Sequence, residues 1–251
     1  MPELQTLLKD VVRLSSSCLP QRSSLASILA QVAQGDDGHG QRVGHLAKLI
    51  GHLADSGLCA SALDLAGRLH DAGKLLLPDS FLKHPGVYSS GQMLVMRQHP
   101  TLGLGALAHL AADIPDLVRE AVLLHHEHYD GNGYPFGLKG KAIPLSVRII
   151  SLADVIDALL SPRAYKSGWS PRQVTSFLKE HAGSRLDPNL TDLAISSFDD
   201  LLAVRGRVPK PLRGFRPTSR ENSRIALDQG CKTNAVPINA GEQCAEIDTG
   251  T

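Results

Sequence analysis

The chain has 251 residues, with 26 Lys plus Arg against 25 Asp plus Glu, a formal net charge of +1 and 42% hydrophobic residues. That length fits one domain with appendages or two small ones, and the apolar fraction suffices for a sizeable core. Near-neutral charge removes bulk electrostatics as an argument for nucleic acid or a membrane surface, so an anionic ligand must be held by local charges.

At the N-terminus, Leu4, Leu7, Leu8, Val11 and Val12 recur at helical spacing, as do Leu25, Ile28, Leu29 and Val32 beyond a Ser-rich break at 15–24. Residues 1–32 therefore read as a short helical segment, compatible with dimerisation and too short for a separate sensory domain. Apolar spacing predicts further helices at about 39–55, 60–71, 116–128 and 147–160. Aromatics are only 4% and no run alternates with period two for long, so strands have little support and the fold is expected to be all-α. From Arg205 the character changes: residues 205–220 carry Arg205, Arg207, Lys210, Arg213, Arg216 and Arg220 with three prolines and no acidic residue. This tail, 205–251, reads as disordered.

Cys18, Cys59, Cys231 and Cys244 have no CxxC spacing, and reduced thiols are the simplest account. No stretch approaches 18 apolar residues, and no cationic segment precedes an apolar run at the N-terminus. A soluble, cytoplasmic protein is expected.

The chemistry concentrates in a few places. His125-His126-Glu127-His128-Tyr129-Asp130-Gly131-Asn132-Gly133-Tyr134-Pro135 joins a histidine pair to a turn rich in glycine. A histidine pair at a helix end could simply cap carbonyls. Upstream, however, stands His70-Asp71-Ala72-Gly73-Lys74, and downstream Asp154 sits in Ile149-Ile150-Ser151-Leu152-Ala153-Asp154-Val155-Ile156. His39 is in phase with Val43, Leu46, Ala47 and Ile50, and His70 with Leu63 and Ala66, so both face inward. A single inward histidine is usually a satisfied core residue. An unpaired buried carboxylate is costly, though, and several inward imidazoles and carboxylates explain one another if they share cations. Mixed imidazole and carboxylate ligation suits iron, manganese or zinc.

With both His70-Asp71 and Gly133-Tyr134-Pro135 in place, the chain resembles the HD-GYP domain family of the HD superfamily, over roughly residues 33–204. The resemblance implies an HD-superfamily helical bundle of about five to seven core helices around a binuclear metal site. It implies that His39, His70, Asp71 and Asp154 hold one metal, and that His99, His125 and His126 add the ligands of a second, with Asp71 bridging. The metals would be two divalent ions, iron or manganese. Family members able to hold a third have a glutamate four residues before the first histidine. Gly35 stands there, so two are expected.

Two metals about 3.5–4 Å apart can generate a bridging hydroxide and clamp an in-line displacement at phosphorus. The resemblance thus implies a cyclic di-GMP phosphodiesterase of bacterial signalling, giving linear pGpG and onward GMP. Asp71 and Lys74 would be catalytic. Lys74, Arg163 and Lys166 would contact phosphate, and Gly133, Tyr134 and Pro135 would form the substrate-selecting loop. Glu127 and Asp130 would orient imidazoles or pin that loop. Cyclic di-GMP is the expected partner, with signalling proteins such as diguanylate cyclases and a homodimer as further options; neither nucleic acid nor membrane is expected. The alternatives are a non-catalytic dinucleotide- or partner-binding module, and an HD phosphohydrolase acting on another nucleotide.

Overall fold

A computed structural model describes residues 25–35, 37–78, 88–108, 114–162 and 167–207. The architecture is a chain of helices: α1 (Leu25–Gly35), α2 (His39–Leu53), α3 (Ala60–Leu69), α4 (Ser90–Met96), α5 (His99–Leu107), α6 (Asp116–Leu124), α7 (Leu145–Leu160), α8 (Pro171–His181), α9 (Pro188–Ser196) and α10 (Phe198–Gly206). Short 3-10 turns occupy Ala72–Leu76 and Gly140–Ala142. Among the described residues there is no strand, only an isolated bridge between Ala182 and Leu186. The all-α expectation holds.

The central element is α7. It buries Ile149, Ile150, Leu152, Ala153 and Ile156 nearly all round, as a helix hydrophobic on most faces must. Helix α2 presents Val43, Leu46, Ala47 and Ile50, α3 presents Leu63, Ala66 and Leu69, and α6 presents Val118, Ala121 and Val122, all buried in the same core. Leu107 of α5 completes the five-helix centre, and α1, α8, α9 and α10 pack around it through residues such as Ile28, Val174, Leu190 and Leu201. No described helix is long and apolar enough to cross a membrane.

Three predicted helices stop short of their expected ends: α2 ends at Leu53 with Ala54 as its C-cap, and the other two stops fall at histidines. Helix α3 ends at Leu69 with His70 as its C-cap, and the chain tightens into the 3-10 turn. Helix α6 ends at Leu124 with His125 as its C-cap. Residues 1–24, including the first predicted helical stretch, lie outside the described residues. Arg205, assigned above to the basic tail, instead sits in the last turn of α10. Cys59, the N-cap of α3, is disulfide-bonded, against the expectation of reduced thiols; the other three cysteines lie outside the described residues.

Candidate metal centre

The seven expected ligands come from five helices, mostly from their ends. His39 opens α2 and His99 opens α5; His70 and His125 cap α3 and α6, each followed by the next ligand, Asp71 and His126; Asp154 lies on α7. Helix ends let side chains project past the packed cylinder, so five elements can meet at one point without opening the core.

They do meet. His39 Nε2 lies 3.2 Å from Asp154 Oδ1, and His70 Nε2 lies 3.8 Å from the same oxygen and 3.5 Å from Asp71 Oδ2. Asp71 Oδ1 in turn faces His99 Nε2 at 3.2 Å and His125 Nε2 at 3.8 Å. The His125 and His126 rings are 4.1 Å apart, and His126 is 5.0 Å from His99. Two sets of donor atoms each lie within 4.8 Å of one another, His39 with His70 and Asp71, and His99 with His125 and His126. Asp71 touches both.

Four imidazoles are oriented through Nδ1. His70 donates to the Gly67 carbonyl at 2.7 Å, His99 to Met96 at 2.8 Å, and His125 to Ala121 and Val122, both at 3.1 Å. A carbonyl can only accept, so the proton sits on Nδ1 and the Nε2 lone pair points into the cluster. His39 Nδ1 is held by a carboxylate instead, Asp157 Oδ2 at 2.8 Å. Such outer partners fix ring orientation at metal sites.

Electrostatics follows from this layout. Burial lowers the His39 pKa, but the carboxylates of Asp154 and Asp157 outweigh it and push it up to about 10. Burial together with the neighbouring imidazoles holds His125 well below the usual range and takes His126 down to about 3, so both rings are neutral donors. For Asp71, burial opposes ionisation, yet Lys74 and His70 overcome it and hold the carboxyl well below the ordinary range. Lys74 Nζ sits 2.5 Å from Asp71 Oδ2, and despite burial that carboxylate raises its pKa.

The approach of Asp71 to His99 depends on Gly73. A Cβ there would fall 1.8 Å from the His99 carbonyl and 2.5 Å from the Gly103 nitrogen, both backbone atoms. Gly73→Ala must push the 72–76 turn off α5, at a cost of about 2 kcal/mol or more. Thermal unfolding and metal titration should both register it; a variant with wild-type melting and metal affinity would contradict the tight contact.

Asp157 is missing from the sequence reading. It follows Asp154 by one helical turn, is fully buried, and gathers His39, both Arg42 (Nε to Oδ1, 2.8 Å; Nη2 to Oδ2, 3.1 Å) and Arg205 (Nε to Oδ1, 2.6 Å), and the Ser161 hydroxyl. A second acid three residues on in an apolar helix was the available signal. Ser151, likewise unread, donates to the His125 carbonyl at 2.7 Å.

The Gly133-Tyr134-Pro135 loop packs directly on the cluster. The Tyr134 ring stacks on His126 at 4.8 Å, and the Tyr134 amide donates to the His126 carbonyl. A Cβ on Gly133 would lie 2.2 Å from the His128 nitrogen, so the close backbone approach admits only glycine. Buried Glu127 pins the loop by accepting from the amides of Phe136 at 2.7 Å and Leu138 at 2.9 Å, and Asp130 accepts from Asn132 at 2.9 Å. Arg163 and Lys166 lie outside the described residues. Gly35, where a third-metal glutamate would stand, ends α1 with open space around its missing side chain.

The residues fit divalent cations. His70 Nε2 is buried with no hydrogen-bond partner among the described residues, although an orphaned buried donor or acceptor is expensive. It points at two carboxylates beside a set of nitrogen donors, a mixture suited to borderline divalent metals.

Fold and site together define an all-α protein whose helix ends assemble a histidine–aspartate cluster compatible with divalent metal binding. A family model described as HD domain matches residues 23–190, and the chain belongs to that family. It is 34% identical over 189 residues to a 3'3'-cGAMP-specific phosphodiesterase 2 of Vibrio cholerae, a match covering 74% of this chain and 36% of the relative. It is 35% identical over 191 residues to the cyclic di-GMP phosphodiesterase response regulator RpfG of Xanthomonas campestris, covering 74% and 50%. The chain thus spans half or less of these two curated relatives. In fold it resembles Bd1817, an HDG"Y"P protein of Bdellovibrio bacteriovorus, with a TM-score of 0.52 and 19% identity over 65% of this chain and 52% of that one.

Proposed function

We propose that this chain is a metal-dependent phosphodiesterase that hydrolyses cyclic di-GMP to linear pGpG and onward to GMP, using two divalent cations, iron or manganese. The observation that carries this reading is Asp71, whose two oxygens face His70 on one side and His99 and His125 on the other. His39, His70, Asp71 and Asp154 would hold one cation, and Asp71, His99, His125 and His126 the other. Bound there, the pair would supply the charge that activates a water and stabilises the attacking and leaving oxygens of a phosphodiester.

The remaining residues bind and orient. Lys74, held charged against Asp71 and 39% exposed along its side chain, is placed to meet a phosphate arriving at the cluster. Arg163 and Lys166 are proposed as further phosphate contacts. Tyr134, stacked on His126, walls the site and offers a ring to a base. All seven ligand positions are filled, which favours turnover over a purely binding role.

A second substrate is favoured by the similarity to a protein named for 3'3'-cGAMP. Chromatographic product analysis after anaerobic incubation with Mn(II) or Fe(II), on both cyclic dinucleotides, tests the reading. Linear products from cyclic di-GMP are expected, at a higher rate than from 3'3'-cGAMP. A reversed preference would reassign the substrate; no product from either, with two metals bound, would leave a receptor.

A further inference from the structure

Most cations of the described residues around the centre are already engaged. Asp71 takes Lys74, Asp157 takes Arg42 and Arg205, and Asp187 takes Arg148. Arg97 and Arg185 are different: neither has a carboxylate partner among the described residues.

Both stand beside the Gly133-Tyr134-Pro135 loop. Arg97 is exposed, two residues before His99, and its guanidinium carbon lies 5.1 Å from the centre of the Tyr134 ring, which itself stacks on His126. Cation–π attraction restrains such a guanidinium while leaving its N–H donors available. Arg185 is tied to the same loop by its main chain, its carbonyl accepting from the Tyr129 amide at 3.2 Å, next to a 2.8 Å bond from Asp130 to the Ser184 carbonyl. Arg185 also lines a cavity of about 310 Å³ whose wall includes Asp154, Trp169 and Phe177. That volume is in the range of small-molecule sites.

A cyclic dinucleotide carries two phosphates, and a hydrolytic centre cleaves one at a time. Resting on the phosphodiesterase reading above, we infer that Arg97 and Arg185 form the subsite for the phosphate that is not being cleaved. Exposed Arg97 and half-buried Arg185, neither with a carboxylate partner among the described residues, keep their N–H donors for an incoming dinucleotide, and their planar forks match phosphate oxygens. The subsite sets a substrate requirement: the ligand must present a second phosphate at a fixed distance from the first. A single diester such as bis(p-nitrophenyl) phosphate has nothing to place there.

The test compares wild type, Arg97→Ala, Arg185→Ala and the double variant on cyclic di-GMP and on bis(p-nitrophenyl) phosphate. Equilibrium binding of the hydrolysis-resistant bisphosphorothioate analogue of cyclic di-GMP is measured alongside. Each single change is expected to lower kcat/KM for cyclic di-GMP by about tenfold, the size of one charge-assisted hydrogen bond. That loss should exceed the loss on the single diester at least fivefold, with analogue affinity falling in step. Arg97→Lys, which keeps the charge and loses the fork, should fall in between. Parallel losses on both substrates, or none in the double variant, would overturn the subsite. If wild type hydrolyses neither compound, binding still decides. Weaker analogue binding in the double variant keeps the subsite while the phosphodiesterase reading falls; unchanged or absent binding removes both.

Discussion

Replacing His70 and Asp71 together by Ala is expected to strip bound divalent metal and lower phosphodiester hydrolysis by at least about 10³-fold. The size of the effect comes from the position of Asp71. Its Oδ1 serves His99 and His125 while its Oδ2 serves His70 and Lys74, so one carboxylate links both halves of the cluster. Its loss removes a shared donor and leaves the Lys74 ammonium without its partner. Elemental analysis of the purified variant measures the first consequence, and product formation from cyclic di-GMP the second. Unchanged metal content would refute the ligand assignment. Asp71→Asn separates charge from shape, because it keeps the volume and one acceptor oxygen; it should lower metal content and rate while the fold, read by circular dichroism, stays intact.

The second large effect is expected at Asp157. Its side chain is fully buried, while the Arg42 and Arg205 side chains that bind it keep 13% and 20% of their surface exposed. Asp157→Ala removes the carboxylate from both guanidiniums and from the His39 Nδ1, leaving Arg42 only the Asp37 carbonyl and the Ser161 hydroxyl, and Arg205 only that hydroxyl. Breaking a buried ion pair from one side costs about 3–5 kcal/mol, and residual solvent access to the arginines places this case near the lower end. For a domain of this size that corresponds to a drop in Tm of about 6–12 °C. Because Asp157 also orients His39, metal affinity should fall in the same variant. Thermal melting with and without added Mn(II) measures both; a melting temperature within 2 °C of wild type would show that the network is dispensable. Arg205→Ala should reproduce part of the loss, since it withdraws one of the two guanidiniums.

Parts of this fold are plain from the sequence and parts are not, for physical reasons. Helices α2, α3, α6 and α7 carry large apolar residues at helical spacing, and each sinks that face into the core. Helix α5 hides, because His99-Pro100-Thr101-Leu102-Gly103-Leu104-Gly105 mixes proline and glycine into a helix with no clear apolar stripe, and only its close packing on the 72–76 turn explains those glycines. Helix α8 was signalled by the Ser170 and Gln173 capping box, with Pro171 between them, a pattern that turn-rich flanks obscure. Helix α10 has apolar residues but little one-sided pattern, and only its contacts decide which face is inside.

The candidate site divides the same way. Residue types in motifs, His70-Asp71, His125-His126 and Gly133-Tyr134-Pro135, are chemical information that a chain displays in one dimension, so the sequence by itself determined the all-α class and singled out the histidine–aspartate residues and the glycine-rich loop as candidates. Which atoms meet is a matter of tertiary packing. His39 and Asp157 are 118 residues apart, and Arg205 reaches Asp157 across 48; no local periodicity encodes such pairs. Arg97 and Arg185 look like ordinary surface cations until folding sets both beside one loop. The tertiary structure alone decided the partners of Asp157, the shared placement of Asp71 and the company of Tyr134, because each depends on helix ends that only the packed core brings together.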